Sequence, residues 1–210
     1  MPLDVSMAEM LHLTSMETTT TVTQTSMDQV VQLTSLLGEH DAGTLRHSWR
    51  VSRLAGEMAL QLGAPAAICR TASLAGLLHD VGKLAVPTAL INKPGALTKA
   101  ETRVMESHTL SGARMVRSFA PPEIVHVVAH HHDRLDEWPS LPWLTRLVSV
   151  ADAYDALVSD RPYRAGCSPA TAVQELHRVA GAQLDSDLVD VLLSTLETPL
   201  RLNVRLNAVA

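Results

Sequence analysis

From Asp41 onward, apolar residues recur every three or four positions, and no stretch alternates as a half-buried strand would. Val51, Leu54, Met58 and Leu62 form one such stripe, closed by Gly63. Pro65 suits the first turn of a following helix that runs to about Leu78. Residues 80–97 contain Gly82, Pro87, Pro94 and Gly95 and read as loop with short helical turns. Thr98 and Glu101 have capping-box spacing and open a helix expected to reach about Phe119. Pro121 and Pro122 open another that ends near His132, and residues 133–142 are irregular. Leu144 to Val158 is a strongly apolar helix. Ser168 and Pro169 open a helix to about Ala180, and a last one spans about Ser186 to Leu196. The expected fold is all-α.

Ahead of this region, a short helix is expected from about Asp28 to Leu37, stopped by Gly38, within a helical lead-in at 27–40. Residues 1–26, rich in Thr, Ser and Met, read as a flexible N-terminal segment, and residues 198–210 as a C-terminal tail. Aromatics make up only 3% of the chain, so the core must come from Leu, Val, Ala and Met. The net charge of −5 argues against an extended nucleic-acid partner, which would need a broad excess of Lys and Arg. Cys69 and Cys167 have no CxxC spacing and read as separate thiols in a reducing compartment. Arg70, His79 and Asp80 interrupt the most apolar region, so no membrane span is expected. No basic start leads into an apolar stretch, so a cytoplasmic location is expected.

The chemistry lies in the histidines and aspartates. His47 lies on the first long helix, and His79 and Asp80 end an apolar helix in LLHDVGK. His108 sits on the capped helix, and His131 and His132 close another. Asp152 lies inside the apolar helix VSVADAYDAL, where a carboxylate is costly unless it is paired or binds a metal. Imidazole with carboxylate suits iron, manganese, zinc or nickel rather than calcium. Any one of these residues could serve only as a hydrogen-bonded core residue or a helix cap. Asp155 reads as a partner of neighbouring backbone or side chains. His126 and His130, one helical turn apart, read as surface residues or as supports for the ligands.

The order H…HD…H…HH…D resembles the signature of HD-GYP phosphodiesterases, a branch of the HD superfamily. HSWRV at 47–51, LLHDVGKLAVP at 77–87, Lys93–Gly95, Leu97–Thr98, His108 with Gly112, HHDRLD at 131–136 and VADAYDALVSDRPYR at 150–164 carry the resemblance. It covers roughly residues 40–195 and implies an HD-type helical bundle over residues 41–197 with a metal site in the bundle core. It further implies two transition-metal ions, iron or manganese, with zinc or nickel as alternatives. One would be held by His47, His79 and Asp152, and the other by His108, His131 and His132. Asp80 would bridge them beside a metal-bound hydroxide that hydrolyses a cyclic dinucleotide, first of all cyclic di-GMP. Lys83, otherwise a surface lysine, would hold a phosphate oxygen. Asp80 and Lys83 are thus the expected catalytic residues.

Two departures stand out. Where the family reads approximately DGxGYP, this chain reads Asp136, Glu137, Trp138, Pro139, shorter and without either glycine. Trp138 could take the place of the family tyrosine against the nucleotide, or pack in the loop. Some relatives place a Glu for a third metal four residues before the first His; here that residue is Gly43, and Asp41 lies on another face. Arg161 and Arg164 match positions where the family sets cations against phosphate or guanine, although RPYR could also be a charged turn. Regulation is expected from a protein partner in trans or from the N-terminal segment. The alternatives are an HD enzyme acting on another nucleotide phosphoester and a non-catalytic receptor or partner-binding protein.

Overall fold

The computed structural model describes residues 24–160 and 165–197. Ten α-helices follow in order: α1 (Gln24–His40), α2 (Ala42–Gln61), α3 (Ala66–Leu78), α4 (Thr88–Ile91), α5 (Lys99–Glu106), α6 (His108–Val116), α7 (Pro122–His130), α8 (Trp143–Val158), α9 (Pro169–Val179) and α10 (Ser186–Glu197). A 3₁₀ turn, Val81–Ala85, follows α3. Among the described residues no strand forms, only one isolated bridge between Ala180 and Leu184.

The apolar stripe of α2 buries Val51, Leu54 and Met58 against α3 and α8. Leu78 of α3, Leu147 and Val148 of α8, and Leu188 and Leu192 of α10 complete one continuous core. Burying such side chains fully is worth about 1.5–3 kcal/mol each relative to exposure. The helix stops are local. Asp41 caps α2 by accepting from Thr44 N at 2.7 Å, and Gly63 ends its last turn with a φ of 75°, which an L side chain resists.

Three boundaries differ from the sequence expectation, the first being that α1 already begins at Gln24, within the segment 1–26 read as flexible and before the expected start at Asp28. Helix α1 passes through Gly38 and ends at His40. Gly38 is not a stop: a Cβ there would lie 2.7 Å from Leu45 Cδ2, so the glycine lets α1 pack closely on α2. The helix opened by Thr98 is interrupted at Ser107, giving α5 and α6 instead of one element reaching Phe119. The capping box itself is present, with Thr98 N donating to Glu101 Oε2 at 2.7 Å and Glu101 N donating to Thr98 Oγ1 at 3.3 Å. The interruption coincides with a tertiary contact. The 3₁₀ turn presses against α6 so tightly that a Cβ on Gly82 would lie 1.8 Å from His108 O and 2.4 Å from Gly112 N.

That contact generates a test. Gly82→Ala must push the 3₁₀ turn away from the backbone of α6, and overpacking of this kind costs about 1–3 kcal/mol or more. Denaturant unfolding should show the loss. A variant as stable as the parent would mean that the two segments can separate freely.

Candidate metal centre

Five segments bring their polar residues to one point. Helix α2 supplies His47, the end of α3 supplies His79 and Asp80, and the first residue of α6 supplies His108. The end of α7 supplies His131 and His132, and α8 supplies Asp152. His79, Asp80, His108 and His131 are fully or almost fully buried, His47 and Asp152 nearly so, and His132 stands at the exposed rim.

Asp80 divides the cluster. Its Oδ2 lies 3.4 Å from His79 Nε2 and 3.7 Å from His47 Nε2. Its Oδ1 lies 3.2 Å from His108 Nε2 and 3.9 Å from His131 Nε2. Asp152 Oδ1 joins the first side, 2.9 Å from His47 Nε2 and 3.8 Å from His79 Nε2. Lys83, one turn beyond Asp80, places Nζ 2.6 Å from Asp80 Oδ2. Two compact groups of candidate ligands result: His47, His79 and Asp80 on one side, and Asp80, His108, His131 and His132 on the other. His79, His131 and Asp152 form a third, overlapping group.

The rings are aimed from behind. His79 Nδ1 donates to Gly76 O at 2.7 Å, His108 Nδ1 to Met105 O at 2.6 Å, and His131 Nδ1 to Val128 O at 3.2 Å. In each case the acceptor is the carbonyl three residues earlier, at the end of a helix where carbonyls lack intrahelical donors. A carbonyl only accepts, so the Nδ1 carries the hydrogen and the neutral ring turns its Nε2 lone pair toward the cluster. His47 sits mid-helix and uses a carboxylate instead: its Nδ1 lies 2.7 Å from Asp155 Oδ2. Arg50 holds that carboxylate through Nε at 2.6 Å and Nη2 at 2.9 Å.

Asp155 therefore bonds side chains, as its spacing suggested, but its partner is a candidate ligand. The sequence reading held Arg50 only as part of HSWRV and gave it no role. The family-like HSWRV word contained the signal, because Arg50 lies one turn after His47 and both face α8. The structure brings His47, His79, Asp80, Lys83, His108, His131, His132 and Asp152 together. Trp138 lies 57% exposed on the loop before α8 and has no recorded contact with the cluster. Arg161 and Arg164 lie outside the described residues. Asp41 is occupied by Thr44 and Asn92.

The donor set fits a metal. His79 Nε2 and Asp80 Oδ1, on opposite sides of that carboxylate, are buried without a hydrogen bond of acceptable geometry, a costly state that cations bound on the two sides would relieve. Electrostatics agree at Asp80 and His131. Burial would raise the Asp80 carboxyl, but Lys83 and His79 hold it well below the usual carboxylate range. Burial, with His132 and His79 nearby, pushes His131 well down, which leaves it neutral and able to bind. Burial would lower His47 too, yet hydrogen bonds with Asp152 and Asp155 outweigh it and raise the group to about 9.

The HD domain model matches residues 31–188. The chain belongs to the HD domain family. A cyclic di-GMP phosphodiesterase of Pseudomonas aeruginosa is 40% identical over 146 residues, covering 65% of this chain and 35% of that protein. The cyclic di-GMP phosphodiesterase response regulator RpfG of Xanthomonas campestris is 33% identical over 184 residues, covering 82% of this chain and 48% of its own length. The chain thus spans between a third and a half of these relatives. Among solved structures, the phosphodiesterase PgpH HD domain of L. monocytogenes, in complex with cyclic-di-AMP, superposes with a TM-score of 0.60. It is 20% identical, and the match covers 79% of this HD chain and 95% of that one. This likeness shows the HD fold. No helix among the described residues is long and apolar enough to cross a membrane.

In the metal-free HD chain, the two histidine shifts have opposite signs. The raised His47 stabilises the fold in full below its ordinary value of 6.5, and that contribution falls away as pH rises toward about 9. The depressed His131 works the other way, costing stability as pH falls through 6.5. Chelator-treated protein should therefore melt highest near pH 6.5, with an alkaline decline of at most about 3 kcal/mol. Melting curves across pH 5–10 check this, and His47→Gln should flatten the alkaline limb.

Proposed function

We propose that this HD protein is a metal-dependent phosphodiesterase that hydrolyses a cyclic dinucleotide, with cyclic di-GMP the first candidate. One observation carries the reading: a single buried carboxylate, Asp80, faces two separate sets of imidazoles with its two oxygens, and a lysine stands beside it. The names of the relatives, cyclic di-GMP phosphodiesterases in Pseudomonas and Xanthomonas, support the substrate class. His47, His79 and Asp152 would hold one cation, and His108, His131 and His132 the other, with Asp80 shared. Iron or manganese suits this mixed imidazole and carboxylate set, and zinc or nickel is an alternative. Such a pair supplies an activated water and neutralises charge on the phosphate.

The chain's own groups do the rest. Asp155 fixes the His47 ring, and three backbone carbonyls fix His79, His108 and His131, so the Nε2 atoms are set before anything binds. Lys83, at the edge of the cluster with a partly exposed side chain, offers its ammonium to a nonbridging phosphate oxygen. Leu77, Leu78, Leu147 and Val148 belong to the buried apolar core. Trp138 is carried on a loop tied down by Leu135 N donating to Gln183 O at 3.2 Å and Asp136 N donating to Ala182 O at 2.9 Å. Its exposed indole is free to stack on a guanine, and Arg161 and Arg164 are proposed to meet phosphate or base. A cytoplasmic location and control by a protein partner in trans belong to the same proposal.

The shortened segment Asp136–Pro139, with no glycine, favours a second reading in which the protein binds the nucleotide without cleaving it. Product chromatography after incubating metal-loaded protein with a panel of cyclic dinucleotides decides between the two. A linear product is expected; binding without any product would establish the receptor. Asp80→Ala should lose both turnover and paired metal binding, whereas Lys83→Ala should keep the metals and lose turnover. If Lys83→Ala sheds its metals, Lys83 is structural.

For Trp138, stacking on a base is worth about 1–3 kcal/mol. Trp138→Ala should then weaken binding of a noncleavable analogue about ten- to a hundredfold at unchanged metal content. An unchanged dissociation constant in isothermal titration would remove the indole from the nucleotide site.

A further inference from the structure

Helix α7 carries two histidines that the metal centre does not use. His126 and His130 lie four residues apart, so their side chains rise from the same face of the helix. Their rings lie against each other, with centroids 4.4 Å apart and planes 33° from parallel. Each ring is fixed by its Nδ1. His126 Nδ1 lies 3.0 Å from Thr145 Oγ1, a hydroxyl fully buried on α8. His130 Nδ1 lies 2.7 Å from Asp133 Oδ2, just beyond the end of the helix.

An ionised carboxylate only accepts, so His130 Nδ1 bears a hydrogen and Nε2 is the nitrogen left to bind a cation. No hydrogen bond joins either Nε2 to a described residue. Both side chains are half-buried, so the pair reaches solvent while its Nδ1 atoms are held from inside. Burial and the neighbouring His130 also push His126 downward, which keeps it neutral.

We infer that His126 and His130 form a peripheral cation site, separate from the buried centre, that takes zinc, nickel or copper(II) through their two Nε2 atoms. Imidazole selects these ions over magnesium and calcium, which require oxygen donors. Bonds of about 2.0–2.1 Å to two imidazoles place the nitrogens on the order of 3–4 Å apart. Ring centroids 4.4 Å apart bring the two imidazoles within the span of one ion once their Nε2 edges turn toward it. Asp133 acts behind His130 as the carboxylate that fixes the ring and raises its basicity. Solvent or a group from another molecule completes the coordination. The site rests on α7 and α8 alone and does not depend on the proposed phosphodiesterase activity. Because His130 directly precedes His131, a cation here ties down the turn that delivers His131 and His132 to the interior.

Equilibrium dialysis of the whole chain against rising free Zn²⁺, followed by elemental analysis, tests the site. The parent protein should saturate one equivalent higher than either His130→Gln or His126→Gln. Asp133→Asn should keep that equivalent but require about 10–100-fold more free Zn²⁺ to fill it. Melting curves of each variant verify that the fold persists, and His130, whose side chain is 44% exposed, gives a substitution that the fold tolerates. Equal saturation of parent and both variants would overturn the inference. So would loss of more than one equivalent in both folded variants, because the pair would then support the buried centre and hold no cation of its own.

Discussion

The Asp80 carboxylate, buried where the ends of α3, α6 and α7 meet α2 and α8, is the group around which this molecule is arranged. It is only 2% exposed, yet its charge is retained, because Lys83 and the surrounding imidazoles lower its proton affinity more than burial raises it. A lone carboxylate at such a depth would be strongly destabilising. The helices therefore have to converge with their polar termini inward, contrary to the usual preference for ends that face water. The core of Leu54, Met58, Leu78, Leu147 and Leu188 closes around that convergence and supplies the stabilisation that tolerates it.

Much of this was legible in the sequence, and the reasons differ by residue. Asp152 was visible because a carboxylate within an apolar helix calls for a partner. His79 and Asp80 were visible because they end an apolar run in a recognisable word. The helical periods of α2, α3 and α8 were clear, since each presents an apolar stripe to one core. The break at Ser107 was not, because no proline or glycine marks it; it coincides with the close approach of Gly82 to the backbone of α6, a contact between segments 26 residues apart. Gly38 misled in the opposite direction, as a glycine in sequence can mean either a stop or a close crossing. Only the backbone angles and the proximity of Leu45 distinguish the two.

The support of the site was the least legible layer. Asp155 and Arg50 form one unit with His47, yet more than a hundred residues separate them along the chain. The spacing of Asp155 from Asp152 indicated only that it would find a partner, and could not say that the partner would be His47. The carbonyls behind His79, His108 and His131 are backbone atoms, so they leave no trace in the identity of any side chain.

Those carbonyls set a rule for how such a chain can change length. Each of the three rings is aimed by a carbonyl three residues earlier, in the last turn of the helix that precedes it, so its direction is locked to the helical phase at that end. One residue added or removed within Gly76–His79, Met105–His108 or Val128–His131 turns the ring by about 100° and points it away from Asp80. The same change in the loops at 92–98 or 133–142 leaves every helical phase intact. Length variation in related chains should accordingly accumulate in those loops, while the final turns before the three histidines keep a constant residue count.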